Sequence, residues 1–353
     1  MKPISVPELV AAAPSWVSRD PTGDGIVVSS RLRLARNVAD LPFPRKARPN
    51  SRATILQRVF EVLEGIPEVA NPRFAAMHDL ADRERRALFE RRVISSEMMN
   101  LGKGSGVVLD AGDAVSVMIN EEDHLRLQHL RNGMALTAQW EELSAVDSAV
   151  AELIPFAFHD DLGFLTSCPS NVGTGLRASV MLHLPALLLR GEVEAVMRSC
   201  RELRLAARGA FGEGSEPAGG FLQISNQSTL GETEEAILTH LQRVVARLVR
   251  AESAVRQGLL TDERDRLYDA VGRAVGTLRH AYRVSSEEAF QCLGMIRLGS
   301  RCGLLPGIPV ERIDPLFVDT QPGHLQILHG GPANETQRDT RRATLLRTRL
   351  FHP

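Results

Sequence analysis

The chain has 353 residues, long enough for at least one full core and for two domains. A formal net charge of -1 gives no basic field to draw nucleic acid or anionic lipid, so any anion site must be built from locally clustered arginines. No apolar run reaches the roughly 18 residues of a membrane span, the start lacks the pattern of a signal peptide, and Cys168, Cys200, Cys292 and Cys302 form no metal-ligand spacing, so a reducing cytoplasm is the expected setting.

Residues 1–24 read as an N-terminal segment. The stretch GIVVSSRLRLARN alternates from Ser30 to Leu34 and predicts a strand with Arg31 and Arg33 on one face and Leu32 and Leu34 on the other. A helix follows over Thr54–Leu63. AVSVMINEEDHLRLQ reads as strand, polar turn at Asn120 to His124, and strand. In LTSCPSNVGTGLRASVMLHLPAL, a glycine-bearing turn leads into apolar residues that predict a helix over Leu176–Leu189, with Arg177 at its start. GFLQISNQSTLG is a short strand ending in turn residues. Thr233 caps a helix to Val249, with Glu234 and Glu235 in its first turn and an apolar stripe from Ile237 to Leu248.

From residue 256 strand signals vanish. Three helices are expected, the first capped by Thr261, the second stopped near Gly303 and Pro306, the last basic. The expected fold is therefore α+β, a largely antiparallel sheet flanked by helices over 25–255 and an all-α domain over 256–353.

Four features could carry chemistry. The turn NVGTGLR is no Walker A loop, since no GK[ST] follows, and taken alone it reads as a plain strand-to-helix turn before it reads as a phosphate site. Cys168 alone is as readily a small buried hydrophobe as a functional thiol. Arg31, Arg33, Arg126, Arg177 and Arg208 stand beside glycine turns or strand edges. Each alone is a solvated charge, but a converging set can hold a triphosphate by two-pronged bonds. Glu121, Glu122 and Asp123 form an acidic knot, and Glu213 lies in another glycine turn; both patterns also suit polar loops.

Together SSRLRLARN, VMINEEDHLRLQ, LTSCPSNVGTGLRASVMLHLPAL, RGAFGEGSE and FLQISNQSTLG resemble, in the same order, the phosphagen (guanidino) kinase superfamily and within it the bacterial protein-arginine kinases. The resemblance implies transfer of the ATP γ-phosphoryl group to an arginine side chain, with Mg2+ bridging the phosphates. It implies that Ser29, Ser30, Arg31, Leu32 and Arg33 surround the nucleotide. The same holds for Arg126, for Arg177, Ala178, Ser179, Val180 and Met181, and for Arg208, Gly209, Ala210, Phe211, Gly212 and Glu213. Arg92 stands where relatives often carry a nucleotide-contacting histidine. Glu122, as base, and Glu213 are expected to hold the acceptor guanidinium, with Cys168 beside it as an orienting thiolate.

Kinases of small guanidines are similar to one another in carrying a helical domain before the first arginine motif. Here that motif begins at Ser29, so an open acceptor pocket is expected, suited to an arginine on a protein surface. QRDTRRA, from Gln337 to Ala343, resembles the RDxxRA element of the protein-arginine kinases and implies a phosphoarginine reader. Arg338 would meet the phosphoryl group, Asp339 the guanidinium, and Arg342 would share a face with Arg338. The likeness further implies a homodimer, a zinc-binding activator protein, and a Clp-type unfoldase and protease as partners, in a cytoplasmic stress response. No nucleic acid or membrane partner is expected.

Overall fold

Strand β2 (Val27–Arg36) organises the molecule. Its alternation buries Leu32 and Leu34 completely on one face and turns Arg31 and Arg33 to the other. The computed structural model describes residues 2–17, 24–209 and 218–352. Chain order supplies ten more strands. These are β1 (Lys2–Pro3), β3 (Arg73–Ala76), β4 (Gly106–Leu109), β5 (Val115–Ile119), β6 (Leu125–Asn132), β7 (Phe158–His159), β8 (Gly163–Phe164), β9 (Leu176–His183), β10 (Leu205–Gly209) and β11 (Phe221–Asn226). Nine of these eleven strands among the described residues form one sheet in the order β1-β3-β4-β5-β6-β2-β9-β11-β10, antiparallel throughout except for β1 against β3, while β7 and β8 pair separately.

One face of this sheet is apolar. Leu32, Leu34, Leu125, Leu127, Leu176, Val180, Leu182, Leu222 and Ile224 pack there against the helices Pro49–Gly65, Leu136–Leu153 and Glu234–Thr261. Truncating one such leucine to alanine costs about 2–5 kcal/mol through lost transfer energy and the remaining cavity. The other face carries polar side chains through its centre. Toward one edge the C-terminal helices Arg264–His280, Ser286–Arg301 and Glu335–Phe351 cover it with a second core. There Phe221 of β11 meets Phe290 and Phe317, with ring centroids 5.2 and 4.8 Å away. The expected α+β architecture, an antiparallel sheet with flanking helices and a helical C-terminal region, is what the chain adopts.

Two local expectations are corrected. Leu176–Leu189 is not a helix: its first eight residues are the central strand β9, and only Pro185–Arg190 is helical. The alternation Leu176, Ala178, Val180, Leu182 is a period of two, and the large apolar content of the following turn masked it. Thr261 does not cap a helix start. It ends Glu234–Thr261, which runs unbroken through residue 255, and Glu263 precedes the next helix. The cap at Thr233 holds, its side chain accepting from the Ala236 N–H.

Candidate active site

Sheet register lines the arginines up. Arg33 sits directly opposite Arg177 across β2 and β9, and Arg31 opposite Ser179. On the other side of β2, Ala35 faces Arg126; beyond β9, Arg208 pairs with Gln223. Like charges directly opposite each other destabilise a sheet, so this arrangement needs a counter-anion or a compensating structure. All five arginines line one cavity of about 570 Å3, together with Arg92, Glu122 and Cys168.

The electrostatics of the cluster are those of an anion site. Burial, then Arg92, Arg177 and Arg126, pull the Arg31 pKa down to about 9. Burial, then Arg31, Arg126 and Arg177, pull Arg33 well below its ordinary value, and its Nε is buried without a hydrogen-bond partner among the described residues. Arg92 falls to about 10, from burial. Arg31 donates to Gln223 Oε1 at 3.0 Å and Arg177 to Ser225 Oγ at 3.3 Å, while Arg126 is paired with Glu121 and Glu122. A polyphosphate entering here meets several fixed guanidinium groups whose mutual repulsion it relieves.

The acidic turn after β5 separates into three roles. Asn120 adopts φ 54, and its amide donates to the Arg52 and Gly104 carbonyls, which fixes the turn. Asp123 is fully buried, accepting from the Asn37 amide and the Ser167 N–H, both at 2.6 Å. Glu121 is buried under Ser95 Oγ at 2.5 Å and Arg126 Nη1 at 2.9 Å. Glu122 alone of the three lines the cavity. It is held by Arg126 Nη2 at 3.1 Å and Arg45 Nη2 at 3.4 Å. Ser167 Oγ bonds the Glu122 carbonyl at 2.8 Å, tying this turn to the segment that presents Cys168.

Cys168 precedes the short turn Pro169–Asn171 and is half-buried, with Sγ 3.0 Å from Ser170 Oγ. The glycines that follow serve packing. Gly173, at φ 111, lies so close to Thr229 that a Cβ would sit 2.3 Å from its carbonyl oxygen, and at Gly175, φ 68, a Cβ would meet the Ala35 oxygen at 2.7 Å. The expected phosphate turn at a helix start is therefore corrected: no helix begins there, and the arginine side chains supply the positive surface.

Of the other expected nucleotide residues, Leu32, Ala178 and Val180 point into the apolar core, as the period of a strand requires. Ser30 is buried and accepts from the Ala135 N–H. Ser29, Ser179 and Met181 are also buried, and Gly209 lines the cavity. Ala210, Phe211, Gly212 and Glu213 lie outside the described residues. Sequence reasoning missed Asn37, Arg45, Trp16, Gln223 and Ser225; only Asn37, three residues beyond the alternating run, had a local signal as a polar strand end.

The C-terminal element is corrected in part. Arg342 is 1% exposed, and its guanidinium bonds the Thr320 and Val284 carbonyls, Ser286 Oγ and Asp339 Oδ1 at 2.6–2.8 Å. It holds the helix Glu335–Phe351 to its neighbours and does not share an open face with Arg338, which bonds the Ala333 carbonyl at 2.8 Å. Asp339 remains half-buried on the surface side. No helix among the described residues is long and apolar enough to cross a membrane.

Comparison with known proteins identifies the family. Residues 54–255 match the family model of the ATP:guanido phosphotransferase C-terminal catalytic domain, and residues 264–352 that of the protein-arginine kinase McsB C-terminal domain. The chain is 41% identical over 335 residues to a protein-arginine kinase of Halothermothrix orenii, covering 95% of this chain and 96% of the relative. It is 38% identical over 341 residues to that of Bacillus subtilis, covering 96% and 94%. Among solved structures, the duplicated taurocyamine kinase of Schistosoma mansoni with bound transition-state analogue components aligns with TM-score 0.59 and 27% identity. That alignment covers 69% of this chain and 35% of the other. A lombricine kinase shares the fold, with TM-score 0.60 at 24% identity over 70% and 72%.

Proposed function

The chain belongs to the protein-arginine kinase family, and from that premise we propose that it transfers the γ-phosphoryl group of ATP to arginine side chains of proteins. The observation that carries the reading is the convergence of Arg31, Arg33, Arg126, Arg177 and Arg208 with Glu122 and Cys168 on one cavity. The cations suit the three phosphates, and the carboxylate and thiol suit the incoming guanidinium.

In the proposed reaction a guanidinium nitrogen forms a bond to phosphorus as the bond from phosphorus to the ADP oxygen breaks. The acceptor enters protonated, with a pKa above about 12, and has no lone pair to offer until a proton leaves. Glu122 accepts that proton, and Glu213 completes the acceptor clamp. Cys168 adds negative charge beside the guanidinium and is not a covalent nucleophile. A loose phosphoryl transition state needs alignment and distributed positive charge more than covalent help. The arginine rows supply both.

The donor set fits Mg2+ only as a passenger of the nucleotide. Among the described residues no group of three or more His, Cys, Asp or Glu is placed to hold a metal ion, and this metal ordinarily keeps waters and binds through substrate phosphates. When bound it neutralises developing phosphate charge.

The regulatory reading is built on the C-terminal element. Arg338 and Asp339 bind phosphoarginine, residues 256–353 carry that site and a dimer contact, and the modification marks proteins for a Clp-type protease, with a zinc-binding activator protein. Residues 25–255 form the catalytic unit. Mass spectrometry of an arginine-rich protein incubated with ATP and magnesium, with and without an activator, tests the core claim. Acid-labile phosphate on arginine is expected. Turnover of free L-arginine alone would instead identify a small-guanidine kinase, and phosphoarginine binding without ATP binding an adaptor.

A further inference from the structure

Trp16, from the N-terminal segment, lines the same cavity as the arginine rows. We propose that Trp16 is a positioning residue for the nucleotide: its indole ring holds the Arg92 guanidinium so that Arg92 donates to a phosphate oxygen beside Arg31. This rests on the nucleotide reading of the cavity given above.

Three observations converge. The Arg92 guanidinium carbon lies over the Trp16 ring, 4.3 Å from its centroid, within range of a cation–π attraction. The ring itself is fixed: Trp16 is 5% exposed, its Nε1–H donates to the Arg91 carbonyl at 3.0 Å, and its carbonyl accepts from the Asn132 amide at 3.2 Å. Arg92 adopts φ 64, a left-handed conformation uncommon for a long side chain, and is held in it from both sides. Its N–H donates to the Phe89 carbonyl at 2.8 Å, and its carbonyl accepts from Gln128 Nε2 at 2.8 Å. Strain fixed by flanking bonds aims the side chain at the cavity. Arg31 and Arg92 line the same cavity, so an anion bound there can meet both guanidinium groups.

The indole acts on Arg92 alone, without touching the nucleotide. It limits the rotamers of a long side chain before the ligand arrives, which removes part of the ordering cost of binding. Its π face tolerates the cation that its arginine neighbours repel.

Calorimetry with MgADP on the full chain, and KM and kcat for ATP, provide the test. Arg92→Ala is expected to weaken MgADP binding about tenfold, the size of one charge-assisted hydrogen bond. Trp16→Leu should weaken it nearly as much and raise KM more than it lowers kcat. Trp16→Phe keeps a π face but lacks the indole N–H, and should stay within about threefold of the parent. The double variant Trp16→Leu, Arg92→Ala should bind no worse than Arg92→Ala. Three results overturn the proposal: Arg92→Ala binding as the parent does, Trp16→Phe as weak as Trp16→Leu, or additive losses in the double variant. Should Trp16→Leu not fold, Arg92→Ala binding as the parent does, or Trp16→Phe binding about tenfold or more weaker than the parent, still overturns the proposal. A parent that binds no MgADP sinks the nucleotide reading and this proposal together; a parent that binds, with Arg92→Ala unaffected, sinks this proposal alone.

Discussion

Two regions of this molecule enclose arginines among different neighbours. Where the C-terminal helices pack, each has a carboxylate and carbonyls: Arg297 meets Asp314 at 2.7 Å and the Gly25 carbonyl at 2.6 Å, and Arg342 meets Asp339 and two carbonyls. On the polar face of the sheet, Arg31 and Arg33 sit among other arginines, and Arg31 donates to the neutral Gln223 amide. A neutralised arginine fixes tertiary structure. A cluster of cations that repel one another is poised for an anion from outside.

The comparison breaks most visibly at Glu122, the carboxylate on the boundary between the two behaviours. Glu122→Gln should lower kcat by about 10²–10⁴, the usual contribution of a general base, and leave MgADP binding by calorimetry near the parent value. Loss of nucleotide affinity with kcat preserved would assign Glu122 to the arginine scaffold instead.

The structural arginines are tested by orphaning one. Asp314→Ala leaves Arg297 buried without its carboxylate and should cost about 3–5 kcal/mol in urea unfolding. Replacing Arg297 by Met in the same chain should recover much of that. The arginines of the sheet face should behave oppositely. Arg31→Met is expected to weaken MgADP binding about tenfold to a hundredfold while the ligand-free protein unfolds at the same or a higher urea midpoint, because a repulsion has been removed. A large stability loss on Arg31→Met would erase the distinction.

The smallest effect is on pH. His124 is fully buried, its Nδ1 accepting from the Val38 N–H at 3.0 Å, and burial lowers its pKa from 6.5 to about 4. His183 is also lowered, by burial and then by Arg297 and Arg256. Both are bases kept neutral in the fold, so the unfolded chain binds more protons below about pH 6.5. Their contribution to stability is complete above about pH 6.5 and is lost as pH falls toward about 4. Urea midpoints measured from about pH 7 to 4 should fall over that window. In His124→Asn, already less stable, the fall should be shallower.

Much of the site was legible because period-two alternation exposes it. Arg31 and Arg33 are two residues apart with fully buried leucines at Leu32 and Leu34, and that local spacing alone puts both cations on one face. The same logic was available at Arg177, with Leu176, Ala178, Val180 and Leu182 around it. There it was hidden by Leu184 to Leu189, whose helical composition extended the wrong period backwards. The cap at Thr233 was legible because it is local. Arg342 was misjudged for the opposite reason: helical spacing gives the face of its own helix, whereas its partners Val284, Ser286 and Thr320 come from distant segments.

By itself the sequence determined the alternating strands, the antiparallel α+β class, the helical C-terminal third and the residue types a guanidino-phosphoryl transfer requires, since all of these follow from local periodicity and motif order. Only the tertiary structure decided which side chains meet. Strand order brought Arg33 opposite Arg177, a buried Asp123 and Glu121 left Glu122 as the one carboxylate of its turn on the cavity, and the N-terminal Trp16 arrived under Arg92. Those are encounters between residues far apart along the chain. Their energy depends on burial and on the charges already present, which no short window of sequence contains.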